Sequence, residues 1–297
     1  MPFESVFLPS NPGNLHLLSH HNTTGESFFF LHGNSLCAAA YLPLLKKLHS
    51  LGYAITAADI RGHGRSTREG TLPLQDWNPF IEDIAHILKV TQQGPVIGVG
   101  HSMGAFFLYA AAARFPHLFS RLILLDPVIF PTPHILLFRL TQTLGLKNWF
   151  SLPKATRKKR HIFPDRSSAA LHYQGKGMFR YWDPDSFEGF LDQGLRPLPN
   201  GGLELACAPE LEARFYETVP PDTWRHASAI SCPVHIVRAE YSHLFPRNAA
   251  LRLQKELPIA TIHTLAGRGH FFPLEIPDTC ADLIAGYHPK SVHPFHA

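Results

Sequence analysis

The sequence predicts an α/β fold: a mostly parallel sheet with helices on both faces and an inserted, largely helical cap. Three observations predict it. Short apolar runs ending in Gly or Asp alternate with longer segments of helical apolar spacing, and strand, helix, strand in repetition makes a parallel sheet covered on both sides. One strand-to-helix junction reads GVGHSMGA (98–105), a sharp glycine-flanked turn. The alternation then stops between about Ile129 and Arg225 and resumes. This divides the chain into a core of residues 1–128 and 226–297 and an inserted cap of residues 129–225.

The elements follow in order. Phe3–Leu8 and Leu15–Ser19, separated by Asn11-Pro12-Gly13-Asn14, read as a hairpin leading into the sheet. The sheet strands are Ser27–Leu31, Tyr53–Ala58, Pro95–Val99, Arg121–Leu125, Pro233–Val237 and Ala260–Leu265. Helical spacing marks Ala38–Leu51, Leu74–Thr91, Met103–Phe115, Arg247–Glu256 and Pro277–Tyr287 between and after them. The cap is rich in aromatics, Pro and Gly, as in YQGKGMFRYWDPDSF (173–187).

Composition bounds the function. At 297 residues and 45% hydrophobic content the chain can bury a substantial core. MPFESVFLPS has no basic segment followed by an apolar one, and no run approaches the roughly 18 apolar residues of a membrane span, so a cytoplasmic protein without integral membrane association is expected. Cys37, Cys207, Cys232 and Cys280 form no CxxC pair and read as free, mostly buried thiols. The net charge of +4 is an ordinary balance whose excess gathers at TRKKRHIF (156–163). That run reads as a solvated face in preference to a nucleic-acid or lipid-headgroup patch. Twenty histidines without HExxH or another ligand-spaced cluster give no metal site. No cofactor and no nucleic-acid partner is expected.

GHSMG (100–104) is GxSxG between a strand and a helix, the context that makes its serine a nucleophile. The turn is so tight that side chains two before and two after Ser102 would collide, hence Gly100 and Gly104. Together with LHGNS (31–35), DIRGHGRS (59–66), LLDP (124–127) and GRGHFFPLE (267–275), it makes the core resemble the α/β-hydrolase family, in its cap-bearing serine-hydrolase form. The cap matches in position only.

The resemblance implies the rest of the apparatus. Two backbone N–H groups, of Asn34 and Met103, would bind the oxyanion. His270, after the last strand, would be the general base for Ser102. His32 would brace its loop, and Asp59 and Arg61 would be structural partners. One departure stands out: in RAEYSHLFP (238–246), where the family carries its acid, this chain has Ser242. Asp126, at the end of the strand after the nucleophile's, is the first substitute, with Pro127 expected to hold it in an extended exit. Glu240 is the alternative, and the lack of any carboxylate a third possibility. The expected activity is hydrolysis of a small to medium, apolar carboxylic ester, a small-molecule partner, through an acyl-enzyme. Phe179 and Trp182 of the cap are candidate substrate contacts. Two rivals are a catalytically silent ligand-binding protein, prompted by Ser242, and a dehalogenase-like hydrolase, which the pair Ser102-Met103 disfavours.

Overall fold

Runs such as FFFL and LILL are apolar on every residue, which suits strands covered on both faces. In the structure, a computed structural model that describes residues 3–21, 25–68, 71, 72, 74, 76–144, 151–218 and 223–287, they form the middle of one eight-stranded sheet. Its strands are β1 (Glu4–Pro9), β2 (Asn14–His20), β3 (Ser27–Leu31), β4 (Ala54–Ala58), β5 (Val96–His101), β6 (Phe119–Leu125), β10 (Val234–Ala239) and β11 (Ala260–Leu265). They lie in the order β1-β2-β4-β3-β5-β6-β10-β11. β2 runs antiparallel to both its neighbours, and every pairing from β4 to β11 is parallel.

The core helices are α1 (Leu42–Ser50), α2 (Asn78–Thr91), α3 (Met103–Arg114), α10 (Arg247–Glu256), α11 (Phe272–Glu275) and α12 (Pro277–Gly286). Two hydrophobic clusters occupy the two faces of the sheet. One joins α2, α3 and α10, and the other joins α1 and α12. α3 is buried continuously from Met103 to Ala112, as a helix apolar all round must be. Two predicted helices start late. Ala38–Tyr41 is a 3-10 turn ahead of α1, and α2 begins at Asn78 where Asp76 Oδ1 accepts the Asn78 N–H at 2.7 Å, so the part predicted from Leu74 is not helical at its described residues. All four cysteines are free and buried. None of the described helices is long and apolar enough to cross a membrane.

Between β6 and β10 come α4 (Thr132–Thr143), α5 (Ser151–Lys158), β7 (Ile162–Phe163), α6 (Arg166–Tyr173), α7 (Pro184–Gln193), β8 (Leu195–Pro197), β9 (Leu203–Leu205), α8 (Pro209–Glu217) and α9 (Thr223–Ala227). Asp165 and Asp183 cap α6 and α7 by accepting from Ser168 N–H and Ser186 N–H. A small antiparallel sheet, β7-β9-β8, sits among these helices; its strands of two or three residues are too short to leave a periodicity in the sequence. Residues 145–150 and 219–222 of the inserted stretch lie outside the described residues.

α7 lies directly on the 3-10 turn at Ala38–Tyr41, and its Phe187, Phe190 and Leu191 join the second core cluster. The approach is close enough that a Cβ on Gly189 would stand 2.0 Å from the Ala39 carbonyl oxygen. Gly189→Ala should therefore force the helix off the core and cost roughly 1–3 kcal/mol, read as a lower denaturant midpoint at unchanged slope.

Candidate active site

The register of the central strands assembles the site. His101, the last residue of β5, pairs with Leu125, the last of β6, which pairs with Val237 of β10. The next residues, Ser102 and Asp126, therefore emerge side by side at the carboxyl edge of the sheet. Ser102 N–H donates to Leu125 O at 2.9 Å, and Asp126 N–H to Val237 O at 2.8 Å.

Ser102 sits at φ 58°, ψ −118°, a strained conformation for a non-glycine residue. The glycines around it are required by contact. A Cβ on Gly104 would lie 2.4 Å from His32 O, and one on Gly100 would lie 2.8 Å from Ala105 N. The turn thus presses α3 against the His32-Gly33 loop and raises the Ser102 hydroxyl above the sheet.

His270 lies between Ser102 and Asp126. Its Nε2 is 2.9 Å from Ser102 Oγ and its Nδ1 is 2.6 Å from Asp126 Oδ2. A carboxylate only accepts, so Nδ1 carries the proton and Nε2 is free to accept from the serine hydroxyl. Asp126 is wholly buried behind the ring. Its Oδ1 accepts from Ala239 N–H at 2.9 Å, and its Oδ2 also accepts from Ser242 O–H at 2.7 Å.

Ser242 thus holds the carboxylate in place. Its oxygen accepts from Leu244 N–H (3.2 Å) and Phe245 N–H (3.1 Å), so the hydroxyl both shapes the loop after β10 and points a donor at Asp126. An aspartate at 242 would bring a second carboxylate against the first, and two such groups in one buried site cannot both ionise. Ser242→Ala strands two backbone donors and removes one donor to Asp126; it should lower stability by about 1–3 kcal/mol and turnover by roughly tenfold, by thermal melts and initial rates.

Glu240 stands apart from the ring: its Oε2 accepts from Gly267 N–H at 2.7 Å, fastening the loop that leads to His270. The extended exit expected of Asp126 is corrected by its φ of +43°. Pro127 disfavours the right-handed helical region but not the left-handed one, which aspartate enters more readily than most residues.

Asn34 and Met103 both line the cavity over Ser102. Their backbone N–H groups donate to no protein acceptor among the described residues. His32 is held on both nitrogens: Nε2 accepts from Ile60 N–H at 3.0 Å, so Nδ1–H donates to Gly33 O at 2.7 Å. Burial lowers its pKa and keeps the ring neutral. Asp59 accepts from Ala38 N–H and Arg65 N–H, and Arg61 pairs with Asp83 at 2.9 Å.

Two residues that the sequence reading passed over tie the loops together. His270 O must accept from His101 Nε2–H (2.9 Å), so His101 Nδ1 accepts from Tyr41 O–H (2.6 Å), and the Tyr41 oxygen accepts from Gly33 N–H (3.4 Å). Burial first, and His270 second, hold the His101 pKa well below its ordinary value, and burial raises that of Tyr41. Both rings stay neutral, as this one-way chain needs. The signal for His101 was its place immediately before the nucleophile; nothing local marks Tyr41.

The cavity measures about 320 Å³. Gly33, Asn34, Ser102, Met103 and His270 form its floor, and Phe130, Phe138, Leu152, Met178, Phe215 and Tyr216 of the inserted segment face them. Among the described residues lining it there is no Asp, Glu, Lys or Arg. Phe179 and Trp182, expected as substrate contacts, do not line it. They pack on each other at 4.6 Å between ring centroids and, with Phe190, fill the core beneath α7.

Residues 28–283 match the model of the alpha/beta hydrolase family. The chain belongs to that family. As a member of it, it is a hydrolase. It is 25% identical over 275 residues to a 2-(acetamidomethylene)succinate hydrolase of Mesorhizobium japonicum, covering 93% of this chain and 92% of that one. It is also 33% identical to monoglyceride lipase of Rattus norvegicus over 109 residues, 35% of this chain and 36% of that protein. Among solved structures, the peroxisomal alpha-beta-hydrolase Lpx1 of Saccharomyces cerevisiae aligns with a TM-score of 0.76 at 17% identity, over 100% of this chain and 92% of that one. An E-2-(acetamidomethylene)succinate hydrolase aligns at 0.73 and 23%, over 96% and 98%.

Proposed function

We propose that this alpha/beta hydrolase is a serine hydrolase that cleaves an uncharged carboxylic ester, or a related acyl bond, with an apolar acyl or alkyl moiety. The hydrogen-bonded chain from Ser102 Oγ through His270 to Asp126 carries the reading. Ser102 attacks the carbonyl carbon as His270 Nε2 takes its proton, and the oxyanion receives the Asn34 and Met103 N–H groups. The tetrahedral adduct collapses when His270 returns the proton to the leaving alcohol. Water then enters, His270 takes one of its protons, and the acyl-enzyme is hydrolysed back to Ser102.

The cavity supports the substrate class. Among the described residues the lining holds no cation to partner a dicarboxylate such as the succinate in the name of the Mesorhizobium japonicum relative, whereas the leucine, phenylalanine and methionine walls suit hydrocarbon. The serine at 242, which favoured a silent binding protein, has a use in a working site: it holds Asp126.

Steady-state turnover of p-nitrophenyl esters of increasing acyl length tests the proposal. Each methylene buried in the cavity is worth about 0.8 kcal/mol, so kcat/KM should rise about fourfold per added CH₂ until the cavity is filled, then fall. Stoichiometric release without turnover would sink the enzyme reading. A profile flat in chain length would sink the apolar one.

A further inference from the structure

α4 is built the wrong way round for a solvated helix. Ile135 and Thr141 are buried and Phe138 lines the cavity, while Leu136, Leu137, Leu140 and Leu144 on the opposite side are 54–60% exposed. Leu136, Leu140 and Leu144 recur every four residues and so form one ridge, with Leu137 beside it. The neighbouring α5 adds Leu152, which is 55% exposed and also lines the cavity. The outer side of α4 is therefore a leucine face, the kind of patch that marks an interaction site.

The charge around this face is one-sided. From Pro127 to Pro164 the sequence holds seven Lys and Arg and no Asp or Glu. Arg157 and Lys159 are consumed by ion pairs with acids of α8, the former with Glu210 and Glu217 and the latter with Glu212. Arg139, Lys154 and Lys158 are exposed, and none has an acidic partner among the described residues. Lys154 and Lys158 stand one turn apart on the side of α5 away from the buried Thr156, and Arg139 flanks the leucine ridge on α4.

Outward-facing leucines, with Arg139 beside them on α4 and exposed Lys154 and Lys158 on α5, the next helix in the chain, resemble a helix that lies in the headgroup layer of a membrane. We propose that α4 and α5 dock this hydrolase on an anionic lipid surface, with the cavity wall resting against the bilayer. The leucines enter the acyl boundary and the free cations meet the phosphates, each adding to the attraction within a Debye length of the surface. A second copy of the chain would satisfy the leucines but would have to present acids to the cations.

The docking goes beyond the proposed ester hydrolysis, and its test is independent of it. The full chain is mixed with vesicles of phosphatidylcholine alone or with about one third phosphatidylglycerol, and bound protein is measured by flotation. Wild type should bind the anionic vesicles at least about tenfold more tightly than the neutral ones, and less tightly as salt rises. Leu136→Glu with Leu140→Glu, and separately Lys154→Glu with Lys158→Glu, should each weaken that binding about tenfold or more. Turnover of a soluble short-chain ester should stay within about twofold in both, because none of the four residues lines the cavity. Ser102→Ala should float like wild type, so a failure of the hydrolase reading leaves this result readable. No binding by wild type, or undiminished binding by both double variants, would overturn the proposal. So would a concentration-dependent dimer of wild type that Leu136→Glu with Leu140→Glu abolishes, which assigns the face to a second copy.

Discussion

Ser102→Ala should remove ester turnover, by about 10⁶-fold in kcat, and remove labelling by a fluorophosphonate. Among the described residues no other hydroxyl can substitute, because attack requires an oxygen in contact with His270 Nε2, and Ser102 Oγ is the one at 2.9 Å. The loss is chemical, not structural. Alanine keeps the Cβ that already tolerates φ 58°, so the turn gains no strain, and circular dichroism and the melting temperature should match wild type within a few degrees. The residual rate, about 10³ above water, would be what the oxyanion donors and the cavity contribute without a nucleophile. Undiminished turnover in this variant defeats the whole catalytic reading. A variant that also loses its fold would leave the assignment to His270→Ala, which shares the prediction.

What the sequence discloses about this protein is what local physics fixes. GHSMG is legible because two glycines are demanded by contacts within the turn and with the loop beside it, at 2.4 and 2.8 Å. The strands are legible because β3 to β6 and β10 are covered on both faces over most of their length and so read as mostly apolar runs. Long-range contacts are a different matter. Nothing in the sequence near Ser242 reports that its hydroxyl reaches Asp126 across 116 positions, so the serine looks like a loss until the two strand ends are seen side by side. Phe179 and Trp182 carry the composition of a binding wall, yet they fill the space under α7, and the walls come from Phe130, Phe138 and Phe215 in parts of the insertion with no distinguishing spacing. An aromatic that lines a cavity and one that packs a core have the same local signature. The exit of β6 is intermediate: Pro127 restricts Asp126, but the choice of φ +43° is made by the hydrogen bonds of its carboxylate with Ala239, Ser242 and His270.

Those same bonds make Asp126→Asn the sharpest test of where the acid lies. Asparagine tolerates positive φ as readily as aspartate, so the backbone keeps its course. The amide has one oxygen, and Ala239 N–H, a main-chain donor with a fixed direction, claims it at the position of Oδ1. The amide nitrogen then stands where Oδ2 was, facing His270 Nδ1 and Ser242 Oγ. It can only donate, so it drives the histidine proton to Nε2, and an Nε2–H cannot accept from the serine hydroxyl. The variant loses both the anion that steadies the imidazolium and the tautomer that starts the reaction, and kcat should fall by about 10⁴ with KM little changed. Glu240→Gln keeps an acceptor for Gly267 N–H and should stay within about threefold of wild type. In the Asp126→Asn background, Ser242→Asp puts a carboxylate back beside the ring with the first one gone, and should recover activity by about tenfold or more over Asp126→Asn alone; in wild type the same substitution opposes two buried carboxylates and should impair the enzyme. Full activity of Asp126→Asn, or an equal loss in Glu240→Gln, would move the acid to Glu240 and leave the contact between Asp126 and His270 structural.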